Sequence, residues 1–206
     1  MKLLLASGNR KKLVELQRVA APLGVEVVQP ADIGGLPECV EDGHTFAANA
    51  AKKAREGAQH SGLWTLADDS GLEVDALGGA PGVYSARYAG THGDDDGNNA
   101  KLLRELADVP DEDRGAAFVC ALALARPTSG EIAHEAIGRT HGRILHAAQG
   151  EGGFGYDPLF QFTEEGFPVT GLVFATLSGD EKASVSHRGR ALRDLEPALS
   201  RLLKDS

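Results

Sequence analysis

Lys2 to Ala6 (KLLLA) is a short apolar run that predicts a buried strand. It passes through Ser7, Gly8 and Asn9 into a helical spacing of apolar residues at Leu13, Leu16 and Ala20. Pro22 and Gly24 close that helix, and Val25 to Val28 (VEVV) predicts a second strand, a βαβ start that points to an α/β protein. Beyond an acidic loop with Glu38, Glu41 and Asp42, Thr45 reads as the N-cap of a helix running to about His60. A strand over Leu63 to Ala67 is expected to end at a polar turn made by Asp68, Asp69 and Ser70. Gly78 to Gly97 reads as an irregular loop, followed by a helix at about Asn98 to Leu106. Ala116 to Ala125, the turn RPTSG and Ile132 to Ile137 predict a β-hairpin. A glycine-rich segment, Gly150 to Gly155, precedes Tyr156, Asp157 and Pro158, and a last helix starts near Ser186 and is expected to bend or break near Pro197. Without an internal repeat or a long linker, residues 1–206 read as one domain.

Composition narrows the function classes. With 206 residues and 42% hydrophobic content, the chain can bury a full core. No apolar stretch approaches the roughly 20 residues that span a bilayer, and the first apolar run is too short for a signal peptide, so a soluble, cytoplasmic protein is expected. Cys39 and Cys120 have neither zinc-ligand spacing nor the makings of a disulfide framework. A formal net charge of -9 argues against a sequence-independent grip on nucleic acid. An anionic ligand would therefore need local cations.

Such cations stand at unusual places. The helix after Thr45 presents Phe46, Asn49, Ala50, Lys53, Ala54 and Gly57 on one face, so Asn49 and Lys53 interrupt an otherwise apolar and small stripe. Either Lys53 snorkels to solvent from a helix edge, or this face borders a cleft where amide and ammonium meet partners. Lys12 lies on the core stripe of the first helix, four residues before Leu16, and Ser7, Gly8 and Asn9 can offer N–H groups at its start. The run SGNRKK lacks the second glycine and the Ser or Thr of a Walker loop. Asp68 and Asp69 suit metal ligands at a strand end, or an Asx turn in which one aspartate serves its own backbone. Glu41 adds a third carboxylate, and carboxylates converging with lysines suit Mg²⁺ bound to phosphates. GEGGFG at Gly150 to Gly155 formally matches G-x-G-x-x-G, but Pro158 follows at once and no strong strand precedes it, so a dinucleotide fold is rejected. Phe154 suits either core packing or base stacking. Lys182, His187 and Arg188 gather near the start of the last helix, where cations oppose the helix dipole unless an acceptor-rich ligand is present. No G-x-S-x-G elbow, H-E-x-x-H pair or R-E-x-x-E-E box occurs.

Taken in order, SGNRKKLVEL from Ser7, EDGHTFAANAAKKA from Glu41, ADDSGLEVDALGGAPGVYSARY from Ala67, GGFGYDPLF from Gly152 and EKASVSHRGRAL from Glu181 resemble the dITP/XTP pyrophosphatase family, which includes inosine triphosphate pyrophosphatases. The resemblance covers nearly the whole chain. It implies an α/β fold with a mixed central sheet and flanking helices, two lobes around a cleft, and assembly as a homodimer. The implied activity is Mg²⁺-dependent hydrolysis of deaminated purine nucleoside triphosphates (ITP, dITP, XTP) to the monophosphate and pyrophosphate. Carried over by residue, the resemblance puts Ser7, Gly8, Asn9, Arg10, Lys11, Lys12 and Lys53 on the triphosphate. Glu41 and Asp69 fall near the metal, with Asp69 also the proton acceptor and Asp68 supporting it. Ser70, Phe154, Gly155, Tyr156, Asp157, Lys182, His187 and Arg188 surround the nucleotide, the last group mainly at the base, and Asn49 joins the substrate-facing set. A nucleotide-binding module without turnover, or a pyrophosphatase for other modified nucleotides, is the alternative.

Overall fold

The computed structural model describes residues 1–204. It contains six strands, β1 (Lys2–Leu5), β2 (Glu26–Val28), β3 (Trp64–Val74), β4 (Gly115–Ala125), β5 (Ile132–Ile144) and β6 (Phe160–Phe162). Five helices accompany them: α1 (Arg10–Ala20), α2 (Phe46–Ser61), α3 (Asp95–Glu105), α4 (Gly179–Val185) and α5 (His187–Lys204). The hydrogen-bonded strand order is β2-β1-β3-β4-β5-β6. β1 runs parallel to both β2 and β3, whereas β5 and β6 are antiparallel, so the sheet is mixed.

The chain divides into two compact units. The first comprises Met1–Asp69, Cys120–Gly138 and the C-terminal segment from Arg188. Its core joins Leu3 and Leu5 of β1, Leu16 and Ala20 of α1, Leu66 of β3, Leu122 and Leu124 of β4, and Leu192, Leu195 and Leu199 of α5. The parallel register Leu3↔Trp64, Leu4↔Thr65, Leu5↔Leu66 brings β1 and β3 to the same end, which is where α/β proteins carry polar side chains. Ser70–Val119 and Arg139–His187 form the second unit, built around Leu72, Phe118, Phe160, Phe162 and Phe174. Among the described residues no helix is long and apolar enough to cross a membrane.

Several expectations change. The acidic turn is no turn: β3 continues for 11 residues through Asp68, Asp69 and Ser70. Asp, Ser and Gly are weak strand formers, and pairing with neighbours overrides that local preference. The loop from Gly78 to Gly97 contains a 3₁₀ turn at Gly82–Arg87, and α3 starts at Asp95, ahead of Asn98, because the Asp94 carboxylate accepts from the Gly97 N–H at 3.0 Å and caps it. The segment before the last helix forms a helix of its own, α4, closed at its start by a reciprocal cap between Ser178 and Glu181. α5 then runs unbroken through Pro197. β1, α1, β2 and α2 match their expected places, with Thr45 the expected N-cap of α2, and the structure adds Asn9 as the N-cap of α1. β4 and β5 are sheet neighbours joined by a short turn in which the Arg126 N–H donates to Glu131 O at 2.8 Å, as the hairpin reading expected, although β5 extends to Ile144.

Candidate active site

Strand geometry gives the two adjacent aspartates different surroundings. Successive side chains on a strand point to opposite faces, so Asp68 and Asp69 meet different hydrogen-bonding and ion-pair partners. Asp68, 4% exposed, meets the Lys12 ammonium from α1 at 2.9 Å and the Arg188 guanidinium from the start of α5 at 3.2 Å. Arg188 also holds Glu15 at 3.1 Å. Burial alone would raise the Asp68 carboxyl, but Lys12 and Arg188 outweigh it and hold it well below the usual carboxylate range. The same carboxylates raise Arg188 against its burial.

Asp69 faces α2. Asn49 Nδ2 donates to its Oδ2 at 3.0 Å, and the Lys53 ammonium stands 3.6 Å from Oδ1 and 2.9 Å from the Glu41 carboxylate. Burial is the largest influence on Asp69; with Glu41 and Asp68 it outweighs Lys53 and Asn49 and raises the carboxyl above its ordinary value. Lys53 is pulled down by burial, but Asp69 and Glu41 prevail and raise it, so it stays cationic. A buried amide and ammonium on the face of α2 thus have the partners that the broken stripe required. The acidic loop is tied to the same cluster, because the Gly43 N–H donates to Asn49 Oδ1 at 2.8 Å. A Cβ at Gly43 would stand 2.5 Å from that oxygen. Gly43→Ala is therefore expected to break this bond and cost about 1–3 kcal/mol by leaving the buried Asn49 oxygen unsatisfied; an unchanged urea midpoint would contradict this.

Ser7 and Gly8 line a pocket of about 250 Å³ together with Glu41 and Lys53, and Cys39 and Glu56 are among its other lining residues. Nothing lies within 4 Å of where a Gly8 Cβ would be, so a ligand can approach the backbone closely there. Asn9 has a structural duty: its Oδ1 accepts from the Lys11 and Lys12 N–H groups at 2.9 and 3.4 Å, two of the helix-start donors that an anion would otherwise use. Arg10 and Lys11 are exposed on the first turn of α1. The neighbouring Cys39 thiol is pushed up to about 11 by burial and the Glu56 carboxylate.

Could this cluster hold a divalent cation? Among the described residues no group of three or more His, Cys, Asp and Glu side chains is poised to bind one. Glu41 and Asp69 nevertheless share the Lys53 cation, and two carboxylates are the usual protein contribution to Mg²⁺ that completes its shell with water and substrate phosphates. The donor set fits that ion.

In the second unit Ser70, Gly155, Tyr156, Asp157 and His187 line a separate pocket of about 130 Å³ with Phe154, Phe118, Ser85 and Asp95. Phe154 is 38% exposed rather than core, and the Lys182 ammonium lies 4.9 Å from its ring centroid while pairing with Asp157. The His187 ring is stacked on Phe118 at 4.9 Å. Tyr156 is anchored by its hydroxyl, which donates to Ser85 O at 2.9 Å. The Arg188 guanidinium binds Asp68 and Glu15 in the first unit. Phe118 and Asp95 gave no signal in the sequence, one lying inside an apolar strand run and the other in a stretch of aspartates.

The Ham1 family matches residues 3–198 of the chain. A protein of Corynebacterium efficiens named dITP/XTP pyrophosphatase is 54% identical over 98% of this chain and 99% of its own, and one of the same name from Rhodopirellula baltica is 50% identical over 99% and 95%. Among solved structures, a HAM1 protein from Coxiella burnetii superposes with a TM-score of 0.88 at 38% identity, covering 98% of this chain and 99% of that one. The crystal structure of a nucleoside-triphosphatase / dITP/XTP pyrophosphatase from Mycobacterium abscessus gives 0.78 at 51% identity, with 96% and 100% covered.

Proposed function

The chain belongs to the Ham1 family, and from that premise we propose that it hydrolyses deaminated purine nucleoside triphosphates to the monophosphate and pyrophosphate. One observation carries the reading: Asp69 and Glu41 flank the Lys53 ammonium, with Asn49 holding Asp69, in a relative of proteins named for this activity. Polyphosphate belongs with the Lys53 ammonium and the open space beside Gly8 in the first unit. Aromatic and small side chains in the second unit's pocket suit the uncharged base. The two residue sets adjoin along the chain itself, at Asp69 and Ser70 and again at His187 and Arg188.

In this mechanism Asp69 orients a water for attack on the α-phosphorus and accepts its proton, while pyrophosphate leaves. Asn49 holds the Asp69 carboxylate in place for that task. Lys53 stays charged beside it and stabilises the negative charge that develops on the phosphoryl oxygens. Lys12, anchored by Asp68, is held in place as a second cation for the phosphates. Mg²⁺ held by Glu41 and Asp69 would neutralise phosphate charge and polarise the attacked centre. A 6-oxo base offers an acceptor to a donor such as His187, whereas the 6-amino group of adenine offers none.

The reading extends to a cytoplasmic homodimer, as the resemblance implies. Both cysteines are unpaired, which accords with a reducing compartment. Incubating the protein with Mg²⁺ and ITP, XTP or ATP tests the reaction. ITP and XTP should yield monophosphate and pyrophosphate, with ATP turned over far more slowly. Orthophosphate and a diphosphate as products would refute attack at the α-phosphorus.

A further inference from the structure

The base pocket of the second unit has an aromatic side chain on a loop of glycines, and such a loop needs something to hold it. Phe154 lies between Gly153 and Gly155, and both glycines have positive φ, +82° and +58°. Its ring is the exposed aromatic of the pocket.

α3 reaches this loop from a distant part of the chain. With Asp94 as its cap, the helix carries Asp95 in its first turn and Asn99 four residues later, on the same face. Asp95 Oδ2 accepts from the Gly155 N–H at 2.7 Å, and Asn99 Nδ2 donates to Gly155 O at 2.9 Å. These are the peptide groups on either side of the Gly155 Cα, so the two side chains together fix its backbone torsions. The Phe154 N–H donates in turn to Asp157 Oδ2 at 2.8 Å, the carboxylate that also takes Lys182. Phe154 is thus held on one side by Asp157 and on the other by α3.

The orientation of Asn99 is directional. With Nδ2 aimed at Gly155 O, its Oδ1 is buried without a hydrogen-bond partner among the described residues. The reversed amide would set oxygen against oxygen at Gly155. The side chain is therefore committed to the loop at the expense of its own second group.

We infer that Asp95 and Asn99 are positioning residues for the nucleobase, acting through the Gly155 backbone to present the Phe154 ring. The inference rests on the nucleotide reading of this pocket and adds to it the device that orders the stacking surface. A preset ring lowers the ordering cost of binding, so loss of the clamp weakens affinity for the base and leaves the phosphate chemistry of the first unit intact.

Steady-state hydrolysis of ITP by the full chain tests this. Asp95→Ala should raise KM about tenfold, the scale of one lost hydrogen bond to a charged group, with kcat within about twofold of the parent on the same scale. Asp95→Asn, which keeps an acceptor for Gly155, should restore most of the affinity. In a Phe154→Ala background, itself raised in KM, Asp95→Ala should add nothing, because both act through one ring. Asn99→Asp, nearly isosteric and facing an acceptor with an acceptor, should reproduce the KM increase even if Asp95→Ala fails to fold. An unchanged KM in Asp95→Ala or Asn99→Asp, a loss confined to kcat, or a full additive effect in the Phe154→Ala background overturns the inference while the pyrophosphatase reading stands. A parent protein that does not turn over ITP overturns both.

Discussion

Asp69→Asn is expected to lower kcat for ITP by about 10²–10⁴-fold, the span that a positioned general base contributes, and to leave the melting temperature at or above that of the parent. The second half of this expectation follows from the sign of the Asp69 shift. Its folded-state pKa is raised, burial being the main cause, so ionising Asp69 costs more in the native protein than in the unfolded chain. That cost grows as pH rises from the ordinary carboxylate value through the raised one and is fully present at neutral pH. Asparagine never ionises and escapes it, while keeping the size and polarity that Asn49 requires. Differential scanning calorimetry with rate measurements decides the matter. Parent-like rates, or inactivity explained by unfolding, would remove Asp69 from the mechanism.

The neighbouring residue should behave in the opposite way. Asp68→Asn is expected to destabilise the fold by about 3 kcal/mol, the lower end of the range for removing one partner of a buried ion pair. Glu15 remains to hold Arg188, and Lys12 keeps some access to water, which is why the lower end applies. For a chain of this size the loss is roughly 6–12 °C in melting temperature. Here the folded-state pKa is depressed, with Lys12 and Arg188 overcoming burial. The stabilisation from Asp68 is thus complete above the ordinary unfolded value and disappears as pH falls through the lower folded one. The gap between parent and variant should be constant from neutral pH down to about pH 5 and narrow below the ordinary aspartate range of about 4. A gap that does not change with pH, or no gap, would show that the Lys12, Asp68 and Arg188 cluster carries little net stabilisation. Two adjacent carboxylates are in this way expected to separate: one variant inactive and stable, the other chiefly unstable.

Local chemistry made much of this protein legible from its chain. The apolar run at Lys2, the spacing Leu13, Leu16, Ala20 and the cap at Thr45 are signals contained within a few residues, and the elements appear where those signals put them. Asn49 and Lys53 stood out because a polar pair on an apolar stripe needs partners, and the partners are Asp69 and Glu41. Tertiary structure alone turned the supposed acidic turn into the middle of β3. Local preference disfavours a strand at Asp68, Asp69 and Ser70, and parallel pairing of the residues just before them with β1, together with cations supplied by α1, α2 and α5, overrides it. Once the segment is a strand, alternation sends Asp68 to Lys12 and Arg188 and Asp69 to Lys53 and Asn49. The same holds for Arg188, drawn to Asp68 across 120 residues, and for Asp95 and Asn99, which meet Gly155 across 60 and 56. Sequence by itself determined which residue types were present and which short elements they form. Which carboxylate meets Lys12 and Arg188 and which meets Lys53 and Asn49 depended on contacts between residues far apart in the chain, which local periodicity does not encode.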